Sequence, residues 1–188
     1  MGFYVLAHMK PYSPGKPIWE VQRELGIEKV TKLASNENPL GPSPLALTAI
    51  QSYLSDIHRY PDADTVDLRA AIGNKWQFKV LVTNGADELI TLISETFLEL
   101  GDEIIVPSPT FSEYKFGANL MGARVVHVPL CKDYSYDVDD ILAAVTGQTK
   151  LIYICSPNNP TGTYMKKQDL HQLMDNIGRS ARADWGAP

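Results

Sequence analysis

The feature that most constrains the fold is an alternation of short apolar runs with helical segments after Lys79. Four runs are apolar enough to form buried strands, at residues 80–82, 104–106, 124–130 and 151–155. Between them, apolar side chains recur at helical spacing over residues 86–100, 111–121 and 138–145. Nearly continuous apolar strands separated by helices are typical of a largely parallel sheet that is covered on both faces. The sequence therefore predicts an α/β domain.

The preceding part of the chain has a different composition. Residues 10–17 hold three prolines and a glycine, which favour an extended arm. Helical spacing then predicts a short helix over 18–25, ended by Gly26, and two more helices after the proline-rich stretch 38–44. We expect a turn at 59–62. We therefore divide the chain into an N-terminal arm, residues 1–44, and a main domain, residues 45–188.

Composition and charge exclude several classes of protein. The net charge is −5 and the basic residues are scattered, so no patch favours a nucleic acid or an anionic membrane surface. No apolar run reaches the length that spans a bilayer. Two cysteines, Cys131 and Cys155, are typical of a reducing compartment, and we expect a cytoplasmic protein with Cys155 buried. The four histidines lack metal-ligand spacing, so no metal site is predicted.

Three loops follow predicted strands, where ligands of open α/β sheets bind. The first, residues 83–88, turns directly from a strand into a helix at Gly85. Free N–H groups at a helix start hold phosphate, although Asp87 and Glu88 could equally serve as simple caps for that helix start.

The second and third loops offer a flat ring and side-chain amides. The second, residues 107–114, contains Phe111 and Tyr114, which could face a planar cofactor or simply join the core. The third, residues 156–162, places Asn158 and Asn159 between two prolines, where an amide could bond a cofactor's phenolic oxygen. An ordinary Asx-Pro turn is the alternative. The glycine fingerprints of dinucleotide and P-loop sites and the Gly-x-Ser-x-Gly elbow of hydrolases are missing.

Taken in order, these three loops resemble those that bind pyridoxal 5'-phosphate (PLP) in fold-type I aminotransferases. The segments 11–18, 23–26 and 33–41, together with 59–62, are similar to the histidinol-phosphate aminotransferase family in particular. The resemblance covers residues 10–177 and corresponds to about the first half of that family's usual sequence. It implies the PLP-dependent large domain, here incomplete, preceded by an arm that belongs to the small domain.

The resemblance also implies residue roles. Gly85, Ala86 and Asp87 would offer N–H groups to the PLP phosphate, Tyr114 would stack on the ring, and Asn159 would bond its phenolic oxygen. Tyr60 would reach the other subunit's cofactor across a homodimer, and Tyr12 and Asn36 would approach the substrate.

The family's reaction moves an amino group between histidinol phosphate and 2-oxoglutarate, in histidine biosynthesis. It needs a Schiff-base lysine and an aspartate at the pyridinium nitrogen. Neither is found here in the family's context; Lys166 and Lys167 follow the asparagine loop, where we expect them to face solvent. We therefore expect a truncated chain that is inactive alone. Three alternatives stay open: a module that binds PLP or a partner without catalysis, an aminotransferase for aromatic amino acids, and a nucleotide-binding α/β protein.

Overall fold

The computed structural model describes Ala7, Met9 and residues 15–180, with side chains to Ile177. The described chain divides between Val82 and Thr83 into two compact units. The division made from sequence, 1–44 and 45–188, concerns the domains of a complete enzyme and stays a prediction.

The unit of residues 15–82 is helical. It contains α1 (Ile18–Leu25), α2 (Pro44–Tyr53), a single 3₁₀ turn (Leu54–Asp56) and α3 (Val66–Trp76). The end of α1 is as predicted, because Gly26 adopts φ 64°, the left-handed conformation that ends helices. Proline occupies the first position of α2, where its missing N–H costs no hydrogen bond. None of these helices contains a buried residue.

The strand predicted at 80–82 is wrong. These residues are not in strand conformation, and they pair with none of the strands of the described sheet. A β-branched run has the propensity for a strand, but it becomes one only when a neighbouring strand accepts its backbone hydrogen bonds. The turn predicted at 59–62 falls slightly later, where the Thr65 N–H donates to the Asp62 carbonyl at 3.2 Å.

The unit that begins at Thr83 has the predicted strand and helix alternation. Its elements are α4 (Gly85–Phe97), β1 (Glu103–Ser108), α5 (Glu113–Leu120), β2 (Arg124–Pro129), α6 (Val138–Ala143), β3 (Thr149–Ile152) and α7 (Lys167–Ser180). The three strands form one sheet in the order β2-β1-β3, and both pairings are parallel. The predicted α/β class and parallel sheet are confirmed. The last strand begins two residues earlier than predicted and ends at Ile152.

The central strand β1 divides the core into two layers. Ile105 packs on one face with Val128, Ile141 and Leu173, and Ile104 and Val106 pack on the other. Successive side chains of a strand point to opposite faces, so β1 serves both layers. Full burial of such a side chain stabilises the fold by about 1.5–3 kcal/mol.

A buried carboxylate joins the strands at the amino end of the sheet. Glu103 accepts hydrogen bonds from Arg124, with Nε at 3.1 Å from Oε1, and from the Thr146 hydroxyl at 2.8 Å from Oε2. The bond to Arg124 lowers the pKa of Glu103, although burial opposes it. One side chain thus links β1 to β2 and to the turn before β3.

Candidate functional site

Helices α4 and α5 run in the same direction. In mid-helix they approach so closely that a Cβ atom on Gly117 would lie 2.5 Å from Ser94 Oγ. Beyond their C-terminal ends, the Gly101 N–H donates to the Gly122 carbonyl at 3.4 Å. Because α5 begins just after the carboxyl end of β1, α4 also begins toward that edge of the sheet.

The start of α4 is built for a tight turn. Gly85 adopts φ 78°, which favours glycine, and its N–H donates to the Thr83 carbonyl at 2.8 Å. The Glu88 carboxylate accepts a hydrogen bond from the Asn84 N–H, so the capping role considered for this residue is confirmed. Ala86 and Asp87 are exposed, and first-turn N–H groups have no acceptor within their own helix.

Tyr114 lies at the start of α5 and is half-buried. Its ring stacks on Tyr153, with 4.4 Å between centroids and an interplanar angle of 17°, and Phe111 meets it edge-on at 5.8 Å. Burial, followed by contact with the Cys155 side chain, raises the pKa of Tyr114 above its ordinary range, so the hydroxyl is neutral. The ring packs against the core, as expected of a core residue. It also lies at the carboxyl edge of the sheet, as expected of a ring that faces a planar cofactor.

Tyr153 supports that ring from within the core. Its hydroxyl is buried and meets no partner at hydrogen-bonding geometry among the described residues. Burial raises the pKa of Tyr153, and the Ser94 hydroxyl acts in the opposite direction. The Ser94 hydroxyl therefore influences the pKa of the Tyr153 phenol, although the two groups do not form a well-aligned hydrogen bond.

The two asparagines of the third loop have different environments. Asn158 is 3% exposed; its Nδ2 donates to the Pro109 carbonyl at 2.9 Å and its Oδ1 accepts from the Thr110 hydroxyl at 2.7 Å. Asn159 is exposed. The side chain of Asn158 thereby connects the loops after β1 and β3 at the carboxyl edge of the sheet. Asn159, the next residue, is exposed there.

Two side chains of this region were missed by sequence reasoning. Thr110 contacts a residue 48 positions away, a separation that leaves no local signal. Tyr136 donates a hydrogen bond to the Cys155 carbonyl, and burial raises the pKa of Tyr136 to about 12.

Cys155 itself is partly exposed and its thiol lies 3.5 Å from the Pro157 carbonyl, so the expectation that it is buried was wrong.

The remaining candidates are Asn36, Tyr60, Tyr12 and the two lysines. Asn36 and Tyr60 belong to the unit of residues 15–82, and both are exposed. Tyr12 lies outside the described residues. The roles of these three stay predictions. Lys166 and Lys167 are exposed, as expected.

Within the part of the chain that the structure describes, no three histidine, cysteine or acidic side chains group together as metal ligands. No described helix combines the length and the apolar character needed to cross a membrane.

The parallel sheet flanked by helices is the architecture of fold-type I aminotransferases. Residues 28–181 match the model of the aminotransferase class I and II family, and the chain belongs to that family. Among its relatives are histidinol-phosphate aminotransferases from Moorella thermoacetica, 46% identical over 172 residues, and from Symbiobacterium thermophilum, 43% identical over 172 residues. Each alignment covers 90% of this chain, and respectively 44% and 47% of the relative. The chain thus spans about half the length of the curated relatives it matches.

Solved structures have the same fold. Histidinol-phosphate aminotransferase from Sinorhizobium meliloti, in complex with pyridoxal-5'-phosphate, superposes with a TM-score of 0.79 at 23% identity, over 92% of this chain and 46% of that one. Alanine aminotransferase from Pyrococcus furiosus gives a TM-score of 0.72 at 28% identity, over 85% of this chain and 44% of that one.

Proposed function

We propose that this chain supplies the PLP-binding edge of an aminotransferase that moves an amino group between histidinol phosphate and 2-oxoglutarate, in histidine biosynthesis. The observation that carries the proposal is the pair of contacts between α4 and α5, from which we infer that the Gly85 turn faces the sheet edge of Tyr114 and Asn159. The names of the relatives favour histidinol phosphate over other amino donors. A cytoplasmic location, with the active enzyme a homodimer, is part of the same proposal.

The residues at this edge fit the chemistry of PLP. The cofactor carries a phosphate dianion, a flat pyridine ring and a phenolic oxygen. A helix start offers N–H groups and a positive dipole end to the phosphate. At α4 these are the N–H groups of Ala86 and Asp87, because the Gly85 N–H, predicted as a third donor, is bonded to the Thr83 carbonyl. Glu88 is exposed, and its carboxylate accepts a hydrogen bond from the Asn84 N–H. That N–H is not one of the two proposed phosphate donors. Tyr114 supplies a ring and Asn159 a neutral amide donor.

Each residue then has a defined task. PLP supplies the electron sink that stabilises the carbanion formed when the substrate loses a proton. The turn at Gly85 would hold the phosphate, and Tyr114, supported by Tyr153, would stack on the ring. Asn159 would donate a hydrogen bond to the phenolic oxygen. Lys166 and Lys167 are assigned no part in proton transfer.

Three residues complete the proposal outside this edge. Tyr60 would reach the phosphate in the partner subunit of a homodimer, which is compatible with its full exposure. Asn36 and Tyr12 would contact the substrate. These three assignments rest on the resemblance to the family alone.

Titration of the purified chain with PLP, followed by absorbance, tests the proposed site. We expect saturable binding, weaker binding of pyridoxal, which lacks the phosphate, and competition by inorganic phosphate. Equal affinity for pyridoxal and PLP would contradict a phosphate site at α4, and the absence of saturable binding would contradict the proposal as a whole. A thermal-shift comparison of PLP with nucleotides tests the alternative of a nucleotide-binding α/β protein, because a ligand stabilises the fold that binds it.

The substrate is tested separately, in the protein that carries this chain. We expect glutamate to form faster from histidinol phosphate and 2-oxoglutarate than from aromatic amino acids and 2-oxoglutarate. A preference for aromatic donors would assign a different substrate to the same fold.

A further inference from the structure

We infer that Asn158 is a positioning residue that holds the Tyr114 loop and the Asn159 loop at a fixed separation. The inference rests on the proposed function, since it concerns where PLP would lie. It assigns a task to the buried asparagine of the pair, which the proposed PLP contacts do not use.

The side chain of Asn158 has no donor left for a ligand. An amide group carries two N–H donors. One reaches the Pro109 carbonyl at 2.9 Å and the other reaches the Thr161 hydroxyl at 2.8 Å. The amide oxygen accepts from the Thr110 hydroxyl at 2.7 Å, and the residue is 3% exposed. A direct contact with PLP would have to break one of these bonds.

The backbone of Asn158 closes its own loop. Its N–H donates to the Thr163 carbonyl at 2.6 Å, and its carbonyl accepts from the Gly162 N–H at 2.7 Å. The Thr163 hydroxyl also donates to the Tyr134 carbonyl at 2.9 Å. The loop that carries Asn159 is thus closed around Asn158 and attached to the segment before α6.

The partners of Asn158 belong to the two loops that carry the proposed contacts with the ring. Pro109 and Thr110 lead into α5, four to five residues before Tyr114, and Thr161 follows Asn159 by two residues. The amide therefore connects the group that would stack on the ring with the group that would bond its oxygen. An error of about 1 Å in such a spacing is enough to impair a binding or catalytic site.

Thr110→Val weakens this connection with the least disturbance, because it removes one of the two bonds from Asn158 to the Tyr114 loop and leaves the bond to the Pro109 carbonyl. Thr110→Val keeps the size of the side chain and loses the hydroxyl that donates to Asn158, whereas Thr110→Ser keeps the hydroxyl. Asn158→Asp replaces both amide donors by an acceptor that faces the Pro109 carbonyl. Ile141→Val, in the core layer of α6, is the control for a general loss of stability.

Two quantities are measured for each variant: the Kd for PLP and the induced circular dichroism per molecule of bound PLP. The second reports how the ring is held and does not depend on how much chain is folded. We expect Thr110→Val to raise Kd about tenfold, the loss of one good hydrogen bond, and Asn158→Asp, which loses both amide donors, to raise it at least as much. Both should reduce the induced signal. Thr110→Ser should restore both, and Ile141→Val should change only the melting temperature.

The outcomes separate this inference from the proposed function. If the unsubstituted chain binds no PLP, the proposed function fails and the inference fails with it. If the chain binds PLP but Thr110→Val leaves Kd and the induced signal unchanged, Asn158 has only a structural role and the inference alone is overturned. Thr110→Val decides the matter even if Asn158→Asp does not fold.

Discussion

At the scale of single residues, Tyr114 carries the ring contact in the proposed site. Its ring is supported at 4.4 Å by Tyr153, which leaves it few positions to adopt. A rigid aromatic plane is worth about 0.5–1.5 kcal/mol to a stacked partner beyond its buried area. The hydroxyl is neutral and takes no part in the stacking.

We expect Tyr114→Leu to weaken PLP binding by about two- to tenfold and Tyr114→Phe to leave it nearly unchanged, because only the first loses the ring. Equilibrium titration with PLP measures both. Tyr164→Leu, at a tyrosine that is 68% exposed, is the matched control. Equal weakening by Phe and Leu would mean that the hydroxyl, and not the ring, is the important group.

Glu103 gives the fold a defined dependence on pH. The hydrogen bond from Arg124 lowers its pKa in the folded state, so its contribution to stability is present above the ordinary glutamate pKa of about 4.3. That contribution is lost as the pH falls through the lower, folded-state value.

We expect Glu103→Gln to be less stable than the unsubstituted chain at pH 7, by about 1.5–3 kcal/mol, the usual range for a hydrogen bond to a charged group. The difference should shrink as the pH falls below about 4. Urea unfolding at several pH values measures it, with Glu95→Gln on the exposed side of α4 as control. A difference that stayed constant with pH would show that the charge of Glu103 is not responsible.

At the scale of elements, the contact between α4 and α5 sets the distance between the proposed phosphate turn and the stacking ring. Gly117 permits this contact, because a Cβ atom there would lie 2.5 Å from the Ser94 hydroxyl and 3.3 Å from Ser94 Cβ. Ser94 is completely buried and its hydroxyl donates to the Ile90 carbonyl at 2.9 Å, so it cannot swing into solvent.

Gly117→Ala should therefore destabilise the chain by about 1–3 kcal/mol, although alanine favours a helix over glycine by about 1 kcal/mol. In a Ser94→Gly background the penalty should largely disappear, since both clashing atoms are gone. Melting temperatures of the four proteins form a double-mutant cycle that measures the coupling. Additive effects would mean that the helices separate without strain.

The elements themselves were largely predictable from sequence, because periodicity is a local property. The predicted helix over 18–25 has those bounds, and the strand predicted at 124–130 ends one residue earlier, at Pro129. The failure at 80–82 shows the limit, since pairing depends on neighbours that a local pattern does not specify. For the same reason the loop pattern alone offered Asn158 and Asn159 as similar candidates, and the resemblance to the family assigned the cofactor contact to Asn159. The tertiary contact of Asn158 with Thr110 had no signal in the sequence.

At the scale of the whole molecule, much apolar surface is exposed. Among the described residues, no strand pairs with the outer edges of β2 and β3. Large apolar side chains on and after α2 are also exposed, Leu45 by 82% and Ile57 by 77%. Unpaired strand edges and apolar patches of this kind favour association between chains.

We expect the isolated chain to self-associate, with an apparent mass that rises with concentration in sedimentation experiments. Leu45→Glu should reduce the association, because it puts a charge into the exposed apolar surface, and the exposed Glu95→Gln should not. A monodisperse monomer with a cooperative melting transition would contradict the expectation.

The burial of Asn158 also supplies an internal spectroscopic reporter. A side-chain amide that is enclosed and bonded through both protons exchanges them slowly with deuterium, whereas the amide of exposed Asn159 exchanges within the dead time of most measurements. In an NMR spectrum recorded in D₂O, the persistent asparagine pair therefore belongs to Asn158. The decay of the proton that is bonded to the Pro109 carbonyl measures how often the two loops separate in solution.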